Sequence, residues 1–514
     1  MPGTQNNGLQ RHDFHPLDKD LISEYNFVRT SPNKEYLCFA PLTSLFFDVT
    51  GDVYACCENT VYKYAVYPDQ SIHDIWFGEK VQKLREHIRN NDLNLGCFLC
   101  SYNIETKNFS GVKARFYDYA KSTGEFPVRM EFQLANTCNL ECAMCDGWSS
   151  SLILKNKYKL PPLSNPYNDH FVEQLEEFIP HLQQAFFVGG EPFMIELYYK
   201  IWEKIIELNP SCVISVQTNG TILNQKVKAL LEKGNFEINV SLDSVRKENY
   251  EKIRKNATFE KTMQNIDYFV DYCKRKNTVF QFTSCPMQNN WKEIPELIRF
   301  ANNKDVRMMF HTVLYPHNFT LFGFNDNKLK LVNNYLVEAS LKLPEETCTG
   351  KFNRQSMETL IYQISHFYNN NNIKKEWFAF EKGQKRFYKR KQLGNLEKQE
   401  QRKNIAIEKK KAELNFAGDK NYLIRYFRRE VNRYCFKRYY YQPMRLFKLK
   451  KLINKKLDDF FIMYPEQDMA VDIVVTVFSH IPLNSIIQSL KNDNADKLFQ
   501  GYLNIKKNEV ADEK

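Results

Sequence analysis

The feature that most constrains this chain is an alternation. From Arg129 onward six apolar runs of strand length recur: RMEFQL, QAFFVG, CVISVQT, FEINVSL, TVFQFTS and VRMMFHTVL. Stretches of helical period, such as FVEQLEEFI and KIWEKIIEL, lie between several of them. Two parallel strands must be joined by a crossover of a dozen or so residues, and a helix supplies it. The expected fold class is therefore α/β, with a parallel sheet, closed or partly closed, over residues 125–320. A small cysteine-rich module is expected ahead of it at 31–110, with the short strand SLFFDV, a turn at Thr50-Gly51-Asp52 and a helical stretch IHDIWFGEKVQKLREHI. Residues 1–30 read as a loose polar tail, and 321–514 as a helical, basic region.

Composition narrows the function classes. The 514 residues are 43% hydrophobic and 26% charged, which suits a globular protein with two to four domains. No run approaches the roughly 18 uncharged apolar residues of a membrane span. The best stretch, Met469 to Leu483, is broken by Asp472 and His480. The opening MPGTQNNGLQRHDF has no apolar h-region, so the cytoplasm is the expected location. The net charge of +11 is concentrated: Lys374 to Lys456 holds 27 Lys and Arg against 8 Asp and Glu, a local +19 on a body of −8. Aromatic residues interleave with those cations. The segment could lie on an anionic membrane surface, which would place the protein peripherally at a membrane, could follow RNA, or could be a solvated helical face.

Thirteen cysteines in a reducing compartment point to metal binding or thiol chemistry before disulfides. The run ANTCNLECAMC sets Cys138, Cys142 and Cys145 within eight residues, just after the first strand of the alternation. Three thiolates on one loop can each hold one iron of a cubane cluster and leave the fourth iron open. A zinc knuckle that borrows its fourth ligand from elsewhere is the other reading of that spacing.

With this C-x3-C-x2-C loop the sequence resembles the radical SAM superfamily, and the likeness continues along the chain. FFVGGEP supplies Gly189, Gly190, Glu191 and Pro192 at the end of the second strand, where the family holds the amino group of S-adenosylmethionine (SAM). QTNGT places Asn219 after the third strand, and VSLDS places Ser241 and Asp243 at the end of the fourth, where ribose hydroxyls are held. Met144 stands where the family usually has an aromatic residue. The resemblance implies a partial (β/α)6, TIM-like barrel and a catalytic [4Fe-4S] cluster on Cys138, Cys142 and Cys145. It also implies reductive cleavage of SAM to a 5′-deoxyadenosyl radical that takes hydrogen from a substrate. A flavodoxin- or ferredoxin-like electron donor and a peptide, protein or sugar-precursor substrate go with that reading. Carbohydrate dehydrogenation or epimerisation is the nearby alternative; a zinc- and RNA-binding protein is the non-enzymatic one.

The N-terminal module resembles the SPASM and twitch auxiliary-cluster domains. Cys38, then Gly51 after 12 residues, then Cys56 after four more, match their hairpin, and Cys97 and Cys100 match the later pair. The resemblance implies a second [4Fe-4S] cluster on Cys38, Cys56, Cys97 and Cys100, with Cys57 as a competitor for Cys56. Here the module precedes the barrel, whereas it usually follows. On the fifth strand Gln281, Thr283 and Cys285 share one face opposite Phe280 and Phe282, so Cys285 is expected inside the barrel, as a hydrogen donor to a substrate radical or as a small buried hydrophobe.

Overall fold

The computed structural model describes residues 17–29, 33–119, 125–313, 316, 318–370 and scattered positions from 374 onward. Residues 1–16 and nearly all of the basic segment 374–456 lie outside the described residues. The chain divides into two units, 1–391 and 392–514. In the second, the described positions include helical residues at 502–505 and buried Ile473, Val477 and Ile486. No helix among the described residues is long and apolar enough to cross a membrane.

The first unit is built on one nine-stranded sheet. Its strands are β1 (Ser44–Phe47), β2 (Asp52–Tyr54), β3 (Ala65–Val66), β4 (Arg129–Phe132), β5 (Gln184–Phe187), β6 (Val213–Thr218), β7 (Phe236–Ser241), β8 (Phe280–Ser284) and β9 (Arg307–Phe310). Their order is β3-β2-β1-β4-β5-β6-β7-β8-β9. Each of the six apolar runs yields one strand, and β4 to β9 pair in parallel in chain order. The result is an open α/β sheet of six β/α units, a partial barrel. Alternation along each strand sorts the faces. Phe132, Phe187, Val216, Ile238 and Phe282 are buried, while the register aligns Gln217 with Asn239, and Ser241 with Thr283, on the other, polar face.

The cysteine module extends the same sheet. β1 lies parallel to β4, with Ser44 opposite Arg129 and Phe47 opposite Phe132. Phe47 stacks on Phe132 at 5.7 Å and meets Phe171 edge-on at 5.2 Å, so module and barrel share one aromatic core. The turn at Gly51, with φ of 90°, sends β2 back antiparallel to β1. Cys56 therefore emerges near the N-terminal ends of β1 and β4, opposite the end from which the Cys138 loop leaves.

Local chemistry explains where the structure departs from the periodic pattern. The stretch expected as one helix over 72–88 is two, Ile72–Phe77 and Glu79–Arg89, because Gly78 is extended and a β-carbon there would stand 2.6 Å from the Asp74 carbonyl oxygen. Part of the expected loose tail is the helix Lys19–Val28. Asp18 caps it, Tyr25 is fully buried, and Arg29 pairs with Asp118, anchors that no periodicity announces. The packed body also runs past residue 320: the Asn353 amide in helix Cys348–Asn369 accepts from Met308 N–H (2.7 Å) and donates to the Val306 carbonyl (2.9 Å), tying that helix to β9.

Because Phe47 serves both modules, Phe47→Ala should cost about 3–5 kcal/mol. It should lower a single unfolding transition of the module and barrel together. Denaturation followed by tryptophan fluorescence and circular dichroism checks this; a module that melts alone while the barrel transition stays put would contradict the shared core.

Candidate active site

Cys138, Cys142 and Cys145 sit on the loop after β4, and backbone contacts fix that loop from two sides. On one side lies the loop after β5. Gly189 and Gly190 have φ of 88° and 49°, and a β-carbon on Gly190 would stand 2.1 Å from the Thr137 carbonyl oxygen. Only glycine permits that approach. It brings the Glu191 N–H to the same carbonyl at 2.8 Å. On the other side, Glu141 N–H donates to the Lys255 carbonyl (3.1 Å) and Ala143 N–H to that of Ile253 (2.8 Å). Cys142 is buried; Cys138 and Cys145 are partly open.

Glu191 is fully buried, and its carboxylate accepts from Thr218 Oγ1–H (2.7 Å), Asn219 N–H (2.7 Å) and Phe193 N–H (3.2 Å). Burial outweighs these donors and pushes its pKa up to about 7. The carboxylate thus locks the end of β5 to the end of β6. Pro192 opens the short turn that follows. The Asn219 side-chain amide donates to Asn139 Oδ1 (3.0 Å) and faces Cys138 Sγ at 3.9 Å.

Beyond β7, Ser241 Oγ accepts from Gln217 Nε2 (2.8 Å) and remains partly open. Asp243 is fully buried. One of its oxygens accepts the Cys285 N–H (2.7 Å), and the other lies 2.7 Å from Arg254 Nη2. Of the two residues matched to ribose recognition, Ser241 keeps an open hydroxyl and Asp243 is the counter-ion of Arg254. Sequence reasoning missed Arg254, which sits in the cation run KIRK with nothing in the sequence to set it apart. It is buried, and its Nη1 lies 3.9 Å from Cys142 Sγ. A hydrogen bond from Cys145 lowers the Cys142 thiol pKa, with Arg254 adding to the effect. Burial raises the Cys138 pKa to about 12. Cys285 packs with Met144, Ile253, Met287 and Val313 beside this loop, and burial raises its thiol too.

The N-terminal thiols form a second group. Cys56 is acted on by its neighbour Cys57 and by Cys38, Cys100 and Cys97, whereas Cys57 is also acted on by Lys113, Glu131, Glu58 and Arg129. Cys38, Cys97 and Cys100 act on Cys56 and are not among the groups that act on Cys57. Burial raises the pKa of Cys38 to about 12 and of Cys100 to about 11. A thiolate cluster needs compensating donors, and they are in place. Ala40 N–H meets Cys38 Sγ (3.4 Å), Asn59 N–H meets Cys56 (3.4 Å), and the Asn59 side-chain amide meets Cys97 (3.5 Å). Lys113 and Ala114 amides serve Cys100. In the barrel loop, Leu140 N–H serves Cys138 at 3.4 Å. Such N–H···S contacts suit thiolate ligands of an iron–sulfur cluster, so both sets fit one. Among the described residues no three His, Cys, Asp or Glu side chains stand close enough to share one metal ion.

The buried Glu191 gives a pH test. Its folded pKa of about 7 exceeds the unfolded value, so between about pH 4.5 and 7 the folded state holds a proton that the unfolded state has lost. Stability of the metal-free protein should fall as pH rises through that window, by on the order of 3 kcal/mol from this group. Glu191→Gln should flatten the dependence in urea titrations; an unchanged slope would show that Glu191 titrates normally.

Comparison with known proteins agrees with this geometry. The Radical SAM superfamily matches residues 132–301, and the SPASM iron-sulfur cluster-binding domain matches 38–101. The GTP 3',8-cyclase of Clostridium perfringens (strain SM101 / Type A) is 26% identical over 183 residues, 35% of this chain and 54% of that protein. Molybdenum cofactor biosynthesis protein 1 of Drosophila melanogaster is 25% identical over 192 residues, 37% of this chain and 32% of that protein. The chain thus spans about half the length of the first of these curated relatives. Among solved structures, Streptococcus suis SuiB bound to precursor peptide SuiA is 11% identical, covering 51% of this chain and 60% of that one at a TM-score of 0.32. The two domain matches imply a [4Fe-4S] cluster with SAM in the barrel and auxiliary iron–sulfur binding in the module. The chain thus carries a match to the Radical SAM superfamily over residues 132–301 and, ahead of it, a match to the SPASM iron-sulfur cluster-binding domain over 38–101.

Proposed function

We propose that this chain is an enzyme that uses SAM and two iron–sulfur clusters to remove hydrogen from an unactivated C–H bond of a peptide, protein or sugar-precursor substrate. The observation that carries the reading is the placement of two thiol sets at opposite ends of the β4 strand, each already supplied with N–H donors to sulfur. Cys138, Cys142 and Cys145 would hold the catalytic cluster; Cys38, Cys56, Cys97 and Cys100 would hold the auxiliary one. When bound, the catalytic cluster and SAM supply reductive cleavage to a 5′-deoxyadenosyl radical, with the electron coming from a flavodoxin- or ferredoxin-like donor.

The chain's own residues do the positioning. Gly189 and Gly190 let backbone carbonyls approach a ligand's amino group, and Pro192 fixes the turn behind them. Glu191 and Asn219 hold the Cys138 loop in register, and the open hydroxyl of Ser241 is available to a ribose. Asp243 neutralises Arg254 and, through the Cys285 N–H, fixes where Cys285 stands. Burial keeps the Cys285 thiol protonated, so its S–H hydrogen is available to a substrate radical, which favours epimerisation as the second reading. The basic segment 374–456 would add an anionic partner, a membrane surface or RNA, on the strength of its charge alone.

Anaerobically reconstituted protein should carry about eight irons, four per cluster. Replacing Cys138, Cys142 and Cys145 by Ala should leave about half of that iron and abolish SAM cleavage. Zinc as the bound metal would sink the proposal. Cys285→Ala should spare SAM cleavage under reductant. If the substrate is epimerised, product should fall at least tenfold with substrate-derived side products in its place; full yield of epimer would remove Cys285 from the chemistry.

A further inference from the structure

Two buried tyrosine hydroxyls beside the N-terminal thiols have no hydrogen-bond partner. Tyr25, fully buried, comes from the helix Lys19–Val28, and Tyr64, 3% exposed, from the stretch between β2 and β3. Leaving such a group unpaired is costly, so an orphan calls for an explanation and a pair around one feature calls for a common one. The thiols that act on Tyr25 are Cys38 and Cys100; those that act on Tyr64 are Cys56, Cys97 and Cys38. Between them the two rings lie within electrostatic reach of all four thiols of the set.

The rings are fixed in place. Tyr25 lies 5.7 Å from Phe109, with the Arg29 guanidinium 5.3 Å from its ring centroid, and Asp118 holds that guanidinium. Tyr64 donates its backbone N–H to the Val53 carbonyl (2.9 Å) and meets Tyr62 edge-on at 6.2 Å. Neither hydroxyl can swing to solvent without unpacking a buried aromatic. The positive groups beside them, Arg29 and Arg85, offer donors and no acceptor.

We infer that the Tyr25 and Tyr64 hydroxyls are O–H···S donors to a cluster seated among Cys38, Cys56, Cys97 and Cys100, positioning residues that raise its reduction potential. The inference rests on the reading of those thiols as cluster ligands. A hydrogen bond to cluster sulfur stabilises the added negative charge of the reduced state, so the hydroxyls favour reduction.

The test uses the full chain with Cys138, Cys142 and Cys145 replaced by Ala, so that only the N-terminal cluster contributes. Tyr25→Phe and Tyr64→Phe are added singly, and midpoint potentials are read by electron paramagnetic resonance during redox titration. Each variant should keep its iron and shift to more negative potential; at the parent's midpoint the reduced-to-oxidised ratio should fall several-fold, a tenfold fall being about 59 mV. A parent without iron defeats the cluster reading itself. Iron present with both midpoints unchanged defeats the inference alone. Thermal unfolding supplies a second readout. Removing an orphan hydroxyl should leave the metal-free protein as stable or more stable, and should destabilise the cluster-loaded protein. A metal-free Phe variant that is destabilised or fails to fold would show that the hydroxyl already has a partner, and would overturn the inference.

Discussion

The approach of Gly190 to the Thr137 carbonyl holds the C-terminal rim of the barrel together. The neighbour is backbone, so a side chain at 190 has nothing flexible to push aside, and the close contact seats the Glu191 N–H on the residue just before Cys138. The Glu191 carboxylate then engages Thr218 and Asn219 at the end of β6, and Asn219 turns its amide toward Cys138 and Asn139. Each hydrogen bond contributes only about 1 kcal/mol. Their arrangement ties the cysteine loop to the ends of β5 and β6.

The second thiol set depends on a different constraint, the parallel pairing of β1 with β4. That pairing merges the cysteine module with the barrel, so the aromatic contacts of Phe47 with Phe132 and Phe171 stabilise both. It also sets direction: β2 returns toward the N-terminal ends of the strands, which separates the Cys56 group from the Cys138 loop along the length of β4. Between the two lies a polar strand face with Gln217, Ser241 and Thr283, where most sheets of this class bury apolar side chains.

Much of this was legible in the sequence. The six parallel strands could be read because each is a short apolar run with a clear face alternation, and Cys138, Cys142 and Cys145 because their spacing is local. The spacing alone could not separate Cys56 from Cys57, since adjacent residues differ only in which way the chain turns after β2. Arg254 was hidden in a run of cations, and its burial depends on Asp243, which sits eleven positions earlier and only in space becomes its partner. The helix around Tyr25 was invisible to periodicity because one ring and one ion pair anchor it. Asp243 read as a ribose ligand from its motif; its buried pairing with Arg254 depends on the fold of the segment after β7.

Two separated thiol sets, at opposite ends of one parallel strand, are proposed to bind one iron–sulfur cluster each. Anomalous diffraction at the iron absorption edge, from crystals of the anaerobically reconstituted full chain, tests this proposal most directly. Two iron peaks are expected, one bounded by Cys138, Cys142 and Cys145 and one by Cys38, Cys56, Cys97 and Cys100, with Cys57 outside both. A signal that rises across the zinc edge and not across the iron edge at either set, or no iron at the Cys138 loop, would contradict it.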